Sequence, residues 1–241
     1  MVIDSGVQSA EENMRLDADL LEYADTYPRP VLHLYGWASP SATYGYFIDP
    51  STLLNLEAAQ KLSLQLARRL TGGGIVFHLW DLAFSVLVPS HCPGFSTNTL
   101  ETYAFINNAV LASVKEFLDG VLPLSLTVDD YSSLDKECSR FCMARPTKYD
   151  VMWEGRKVAG AAQRKTRQGY LHQGTIALVM PPEGYLDQVL LPGTRVKEAM
   201  FAHTCPLLGS SASEGQLASA RSRLRELLAT HLSQASLSLN S

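Results

Sequence analysis

Residues 68–78 read RRLTGGGIVFH, and this stretch decides the interpretation of the chain. A segment with strand character ends in Arg68 and Arg69, three glycines interrupt the regular structure, and an extended apolar segment follows. Consecutive glycines let backbone N–H groups approach a phosphate or a carbonyl closely, and the two guanidinium groups add positive charge. The stretch predicts a strand–loop–strand unit that binds an anionic or thioester ligand, with a flexible, solvated turn as the alternative. The glycines of this loop are Gly72, Gly73 and Gly74.

Apolar periodicity on both sides of the loop predicts a chain in which strands and helices are mixed. Alternating or continuous apolar runs predict strands, and apolar residues three or four positions apart predict helices. The predicted strands are 31–35, 64–70, 75–78, 82–89, a hairpin over 149–163 and 170–180. The predicted helices are 9–23, 50–62, 99–118 and 214–232. The continuous apolar run over 82–89 needs cover on both faces. We therefore expect an α+β fold with a mostly antiparallel or mixed β-sheet core packed by helices.

The composition is typical of one globular domain. With 241 residues, of which 46% are hydrophobic and 18% charged, the chain is long enough to bury one sizeable core. We predict a single domain over 1–241, in which 214–232 form a C-terminal helix and 233–241 a polar tail.

Charge and hydropathy argue against several classes of partner. A net charge of -4 provides no basic excess to neutralise phosphates, so we expect no nucleic-acid partner. No run approaches the roughly 18 apolar residues of a membrane span, and no secretory signal is visible, so we expect no membrane contact and a cytoplasmic location. The four cysteines contain no CxxC pair, so we predict neither a metal site nor a disulfide framework.

Cys142 is a candidate nucleophile. It lies in a loop with Arg140, Arg145 and Lys148 nearby in sequence, and neighbouring cations favour a thiolate, which accepts acyl groups readily. The alternative is an ordinary buried cysteine, and nothing in the composition separates Cys142 from Cys138.

Lys157 is a candidate for stabilising charge during acyl transfer. It begins the second strand of the predicted hairpin, and Gly160 on that strand leaves space for a ligand to approach. An inward-facing lysine there can stabilise the charge that develops on a carbonyl oxygen, whereas a solvent-facing lysine is the alternative. His78 and His172 end or interrupt apolar strands, and we assign neither a proton-transfer role.

Three motifs, in this order, resemble the lipoate-protein ligase and octanoyltransferase family, whose catalytic fold is shared with biotin protein ligase. RRLTGGGIVFH is similar to the family's RRxTGG(G/R)xVxH ligand loop, and GRKVAGAAQ over 155–163 is similar to its GxKxxGxAQ signature. YLHQGTIAL over 170–178 resembles its strand of the form hydrophobic, His-Gly, Ser/Thr, Ile. The resemblance covers most of the chain and implies a catalytic domain of that fold. It implies substrate-binding roles for Arg68, Arg69, Gly72, Gly73, Gly74, His78, Gly160, Gln163, Gly174 and Thr175.

Within this family, cysteine-dependent transferases and ATP-dependent ligases are the alternatives. The stretch after His78 is one residue shorter than the ligases' HDxGNxxFS, as in the transferases. The pattern Cys-x3-Pro-x2-Tyr over 142–149 and the run EGRKVAG over 154–160 are also similar to the transferases. This match implies that Cys142 accepts the acyl group and that Lys157 stabilises the carbonyl oxygen.

Three residues depart from the transferase pattern. Gly74 stands where the transferases often have arginine, Leu79 replaces the usual aspartate after the histidine, and Gln173 precedes the glycine where histidine is usual. The glycine is ligase-like. The other two departures keep open a third hypothesis, a non-catalytic protein that binds lipoyl domains.

The resemblance implies transfer of an octanoyl or lipoyl group to a specific lysine of lipoyl domains through a Cys142 thioester. The acceptors would be 2-oxoacid dehydrogenase E2 subunits or the glycine-cleavage H protein, and acyl carrier protein or acylated H protein would be the donor. This route needs no cofactor. In the alternative, an ATP-dependent lipoate-protein ligase uses lipoate or octanoate, ATP and magnesium, and Arg68, the glycine loop and Lys157 hold a lipoyl-AMP.

Overall fold

The computed structural model describes residues 1–127, 129 and 132–238, and in it the chain forms two β-sheets flanked by helices. The strands are β1 (Val2–Gln8), β2 (Val31–Trp37), β3 (Ser41–Tyr44), β4 (Gln65–Arg68), β5 (Ile75–His78), β6 (Asp81–Pro89), β7 (Ser125–Leu126), β8 (Val151–Trp153), β9 (Arg156–Lys165) and β10 (Gly169–Ala177). The helices are α1 (Ala10–Glu22), α2 (Leu56–Lys61), α3 (Thr99–Phe117), α4 (Glu183–Val189), α5 (Val196–His203) and α6 (Glu214–Ser238). The predicted α+β class is confirmed.

The larger sheet has the strand order β1-β2-β6-β10-β9-β8-β7. Its strands pair antiparallel except β1 and β2, which are parallel. Because side chains of β6 alternate between the faces, Phe84 and Val86 pack in one core with α3 and α6, while Ala83 packs with Met14 of α1. The expectation that this strand is covered on both faces is confirmed.

The smaller sheet has the order β4-β3-β5, with β3 parallel to β4 and antiparallel to β5. Its apolar side chains form a core with residues of α2, α4 and α5. The glycine loop joins β4 to β5 across the end of β3, where the N–H of Tyr46 donates to the Thr71 carbonyl at 3.0 Å. The two sheets therefore meet beside this loop.

Local sequence signals set several element boundaries. Ser9 and Glu12 form a capping box at the start of α1, because each side chain accepts the other residue's backbone N–H, at 3.2 and 3.0 Å. The predicted hairpin is β8 and β9, and its turn residues Glu154 and Gly155 both have positive φ, at 48° and 74°. No helix in the described ranges combines the length and the apolar character needed to cross a bilayer.

Other boundaries differ from the sequence expectations. The chain opens with the partly exposed edge strand β1 rather than with a helix. The helix predicted over 50–62 is divided, because Asp49 caps a short 3₁₀ helix, Pro50–Thr52, and the Asn55 side chain then accepts the Ala58 N–H to begin α2.

The C-terminal helix is longer than predicted. It continues past Leu232 to Ser238, so residues 233–238 of the predicted polar tail are helical. The rest of that predicted tail, 239–241, lies outside the described residues. Buried leucines of α6, including Leu224 and Leu228, pack against α3 and the larger sheet.

Candidate active site

A small cavity opens between the two sheets beside α1. The structure brings seven of the residues expected from the sequence to its walls. They are Arg69, His78, Cys142, Lys157, Gly160, Gly174 and Thr175. The remaining wall is formed by Met14, Tyr35, Thr43, Val76, Ala83, Ala161, Ala162 and Gln173. A thiol, an ammonium group and apolar side chains thus line one cavity.

The glycine loop forms an edge of this site. Gly73 has φ +83°, in the left-handed region that favours glycine. A Cβ atom on Gly74 would lie 2.1 Å from the carbonyl oxygen of Arg140, so this glycine lets the loop pack directly on the segment that carries Cys142. This packing is a structural reason for glycine at position 74, where the transferase pattern often has arginine.

The buried guanidinium of Arg69 holds the glycine loop from inside. Its Nη2 group donates to the carbonyls of Gly74 and Gly72, at 2.7 and 3.3 Å. Its Nη1 group donates to the carbonyl and hydroxyl oxygens of Thr43, at 2.9 and 2.7 Å, and Nε donates to Thr71 Oγ1 at 3.3 Å. All three guanidinium nitrogens have acceptors within the protein, so Arg69 fixes the loop and places a positive charge beside the cavity.

Cys142 is fixed by backbone contacts to the strand that follows the glycine loop. Its N–H donates to the Ile75 carbonyl at 3.0 Å, and Phe141 pairs with Ile75 as a parallel bridge. The N–H of Gly74 donates to the Cys142 sulfur at 3.2 Å. A backbone dipole therefore points at the atom that would carry negative charge in a nucleophilic thiolate.

The structure separates Cys142 from the other cysteines, which the sequence could not do. Cys142 is partly exposed in the cavity wall, whereas Cys92, Cys138 and Cys205 are buried and unpaired. Burial raises the pKa of Cys138 to about 11, so that this thiol stays protonated. Cys142 is the cysteine that is positioned for chemistry.

Lys157 forms a buried ion pair in the cavity wall. Its Nζ lies 2.8 Å from Asp150 Oδ2 and donates to the carbonyl oxygen of Cys142 at 2.9 Å. The side chains of Lys157 and Asp150 are only 3% and 2% exposed. Burial raises the pKa of the Asp150 carboxyl, an effect that the Lys157 charge partly opposes. The Lys157 ammonium is therefore held next to Cys142 by a dedicated carboxylate.

Gly160 makes room for this ion pair rather than for a ligand alone. A Cβ atom at position 160 would lie 2.2 Å from Lys157 Cε and 2.4 Å from Asp150 Oδ1. Gly174 has a comparable role on the neighbouring strand, since its Cβ atom would lie 2.4 Å from the Phe84 ring. The two glycines of the later motifs thus shape the wall by admitting other side chains.

His78 and Thr175 converge on one carboxylate. His78 Nδ1 and Thr175 Oγ1 lie 2.7 and 2.5 Å from Asp81 Oδ2, and His78 Nε2 lies 2.8 Å from Thr43 Oγ1. The ring of Trp37 stacks on His78 with centroids 4.2 Å apart. Burial alone would raise the pKa of Asp81, but the His78 charge and these hydrogen bonds lower it. Both histidine nitrogens are used, which agrees with assigning His78 no proton-transfer role.

Five residues expected in the site are not part of the cavity wall: the three glycines of the loop, which form its edge, and Gln163 and Arg68. Gln163 points toward α3, where its Oε1 accepts from Thr102 at 2.7 Å and its Nε2 lies 2.8 Å from His172 Nδ1. These two contacts hold the Gln163 side chain against α3 and His172 rather than in the cavity wall. Burial lowers the pKa of His172 to about 3, so this ring is neutral. Arg68 is exposed, with its guanidinium 5.0 Å from the Tyr46 ring.

Three polar residues of the site, Asp150, Gln173 and Asp17, were not assigned to it from the sequence. Asp150 pairs with Lys157, and Gln173 bonds both Thr71 and Asp17 of α1. Only the position of Asp150, just before the hairpin strand that leads to Lys157, offered a local signal. Gln173 was noted as a departure from the family pattern, but not as part of the site.

We expect Gly74→Ala to lower the melting temperature by several °C, because the new Cβ atom would overlap the backbone of Arg140. Gly72→Ala is the matched control, since a Cβ atom there has open space within 4 Å and Gly72 has no positive φ. Thermal unfolding of the two variants measures the difference. Equal melting temperatures would contradict the direct packing of the loop on the Cys142 segment.

Comparison with known sequences places the chain in a family. A sequence model described as the lipoyl protein ligase A/B catalytic domain matches residues 9–198, a span that contains both the glycine loop and Cys142. The chain belongs to the lipoyl protein ligase A/B catalytic domain family. The resemblance found in the three motifs is thereby confirmed.

Two named bacterial octanoyltransferases are similar to most of the chain. The octanoyltransferase LipM of Bacillus subtilis (strain 168) is 34% identical over 200 residues, which are 82% of this chain and 72% of that protein. The octanoyltransferase LipM of Halalkalibacterium halodurans is 32% identical over the same shares of the two chains.

Solved structures of lipoate-protein ligases share the fold. Lipoate-protein ligase A bound with ATP superposes with a TM-score of 0.68 at 21% identity, over 98% of this chain and 83% of that one. A putative lipoate protein ligase from Thermoplasma acidophilum with bound lipoic acid gives a TM-score of 0.65 at 21% identity, over 97% and 84%. These likenesses support the predicted fold.

Proposed function

We propose that the protein transfers an octanoyl group from a carrier thioester to a lysine of a lipoyl domain through an acyl thioester on Cys142. The observation that carries this proposal is the Cys142 sulfur in the cavity wall, 3.2 Å from the Gly74 nitrogen and beside the buried Lys157 ammonium. The similarity to octanoyltransferases named LipM supports the acyl group and the reaction type. Lipoyl transfer is the same chemistry with a related acyl chain.

In the first step the Cys142 thiolate attacks the carbonyl carbon of the donor thioester. A new C–S bond forms, the bond to the donor sulfur breaks, and the donor thiol leaves with the proton that Cys142 gave up. Lys157 has three donors, of which two serve Asp150 and the Cys142 carbonyl. Its third N–H is therefore available to stabilise the substrate carbonyl oxygen as negative charge develops there.

In the second step the amine of the acceptor lysine attacks the acyl-enzyme. The C–N bond forms, the bond to Cys142 Sγ breaks, and the proton of the amine passes to the departing sulfur.

Conversion of a thioester to an amide is downhill, so we propose that the reaction proceeds without ATP, metal or any bound cofactor. We also propose that it takes place in the cytoplasm.

An assay with two different acyl sources distinguishes the proposed transferase from a ligase and from a pure binding protein. The protein is incubated with an apo lipoyl domain and either octanoyl-acyl carrier protein, or octanoate or lipoate with ATP and magnesium, and intact masses are recorded. We expect the acceptor to gain one octanoyl group from the carrier protein alone. Modification that occurs only with ATP would show that the protein is a ligase. No modification under either condition would favour the non-catalytic binding protein.

We further propose that the donor is an acidic acyl carrier protein that contacts the mouth of the cavity. Arg68 of the smaller sheet and Arg164 of the larger sheet are both exposed, and their guanidinium groups lie 5.0 and 5.7 Å from the Tyr46 ring. Phe47 beside them is 87% exposed and contacts Tyr46 edge to face. Tyr46 bonds the glycine loop at Thr71, so this basic aromatic patch adjoins the entrance. Acidic partners complement such a surface.

We expect an Arg68→Glu/Arg164→Glu variant to raise KM for octanoyl-acyl carrier protein about tenfold with little change in kcat, because exposed charges act mainly on encounter and docking. Steady-state kinetics at low and high salt measure the effect, which salt should reduce. A small octanoyl thioester should react unchanged. Lys115→Glu/Arg223→Glu, with the same charge change on α3 and α6, is the control, and an equal KM increase in it would contradict the assigned surface.

A further inference from the structure

A chain of buried hydrogen bonds connects α1 to the glycine loop through Gln173. The side chain of Gln173 is buried in the cavity wall. Its Nε2 group donates to Asp17 Oδ2 at 2.6 Å, and its Oε1 accepts from Thr71 Oγ1 at 2.7 Å. Thr71 in turn accepts from Arg69 Nε at 3.3 Å. Gln173 therefore spans the space between a helix and the loop beside the nucleophile.

The partners on both sides fix the orientation of the Gln173 amide. A carboxylate only accepts hydrogen bonds, so Asp17 requires the NH₂ end. The Thr71 hydroxyl accepts from Arg69, so its own hydrogen is free to be donated to the carbonyl end. Position 173 thus needs a side chain of this length whose terminal group carries one donor, on the side of Asp17, and one acceptor, on the side of Thr71.

The chain of contacts ends at the cysteine. Arg69 donates to the carbonyls of Gly72 and Gly74, and the Gly74 N–H donates to Cys142 Sγ. Asp17 is itself anchored, because its Oδ1 lies 2.8 Å from His33 Nδ1 and accepts from the Ser85 hydroxyl. A series of hydrogen bonds, which passes through Gly74, therefore connects the core of the larger sheet to the Cys142 sulfur.

We propose that Gln173 is a positioning residue for acyl transfer, whose amide holds Thr71 and Arg69 and thereby the Gly74 N–H that faces Cys142. This proposal rests on the proposed function for its effect on kcat. The proposal also predicts that Gln173 affects how fast the Cys142 thiol reacts with a small alkylating reagent. This alkylation does not depend on acyl transfer. Failure of the proposed function and failure of this proposal are therefore distinguishable.

The same geometry explains how the position can hold histidine, as is usual in the family pattern. A neutral imidazole carries one N–H donor and one bare nitrogen acceptor, the pair that Asp17 and Thr71 require. Glutamate supplies two acceptors and would face the Asp17 carboxylate. Leucine supplies neither group, and would leave Asp17 and the Thr71 hydroxyl short of one partner each.

The test compares Gln173→His, Gln173→Glu and Gln173→Leu by octanoyl-transfer kinetics, by iodoacetamide labelling of Cys142 followed by peptide mass mapping, and by thermal unfolding. We expect kcat to fall about 10- to 100-fold in the glutamate and leucine variants with KM for the donor little changed. We expect altered labelling rates of Cys142 in both. Gln173→His should retain at least about half of the wild-type kcat and labelling rate.

Gln163→Leu is the matched control. It removes another partly buried side-chain amide that has two partners, Thr102 and His172, on the side of the sheet that α3 covers. It should lower stability without changing the labelling of Cys142. Wild-type kcat and labelling in Gln173→Leu would overturn the proposal, as would a histidine variant no better than leucine. An inactive wild type with Gln173-dependent labelling would overturn the proposed function and leave the positioning intact.

Discussion

Cys142→Ser should reduce octanoyl transfer at least about 10³-fold while leaving the fold intact. Serine keeps the size of the side chain and a group that can accept the Gly74 N–H, but its hydroxyl is a much weaker nucleophile at neutral pH than a thiol. The measurement is the rate of octanoyl gain by an apo lipoyl domain, with thermal unfolding as the check on folding. This is the largest effect we expect from a single substitution.

Cys138→Ser is the control for that loss. Cys138 lies only four residues away but is buried in the core of the smaller sheet, and burial raises the pKa of its thiol to about 11. The control variant should lose some stability and keep most of its transfer rate. Equal rates in Cys142→Ser and the wild type would rule out the covalent mechanism, since among the described residues Cys142 is the cysteine that lines the cavity.

Lys157→Met should have the second largest effect, on both stability and transfer. Removal of the ammonium leaves the buried Asp150 carboxylate without its counter-charge, which costs about 3–5 kcal/mol and lowers the melting temperature on the order of 10 °C. The transfer rate should fall about 10²- to 10³-fold, because the donor to the developing oxyanion is lost. Thermal unfolding and transfer kinetics measure the two effects separately.

The double variant Asp150→Asn/Lys157→Met separates structure from chemistry. A neutral amide at 150 carries no unpaired charge and can still accept from the Thr147 N–H, which donates to Asp150 Oδ2 at 2.6 Å. We expect the double variant to recover most of the stability and none of the activity. Recovery of transfer along with stability would show that Lys157 acts only as the partner of Asp150.

Features encoded by neighbouring residues could be predicted from the sequence. The capping box at Ser9 and Glu12, the glycine loop between two strands and the hairpin turn at Glu154 and Gly155 each depend on residues a few positions apart. The apolar patterns of 99–118 and 82–89 also predicted α3 and β6 within one residue of their observed bounds. The edge strand β1 was missed, because it contains Gly6 and a partly exposed, weakly alternating pattern.

The parts of the site that could not be predicted depend on residues that are distant in sequence. Gln173 bonds Asp17 across 156 positions and Thr71 across 102 positions, and neither pairing leaves a local pattern. The distinction between Cys142 and Cys138 has the same origin, because burial is decided by the packing of the smaller sheet. Gln163 is the converse case, because it belongs to a recognised motif but its side chain bonds Thr102 of α3 instead of lining the cavity.

The most direct test of the acyl-enzyme is the mass of the protein itself after brief reaction with octanoyl-acyl carrier protein in the absence of acceptor. We expect one octanoyl group, located on the peptide that contains Cys142 and lost when an apo lipoyl domain is added. Acylation of another residue, or complete acceptor modification by a protein that never carries the acyl group, would contradict transfer through Cys142.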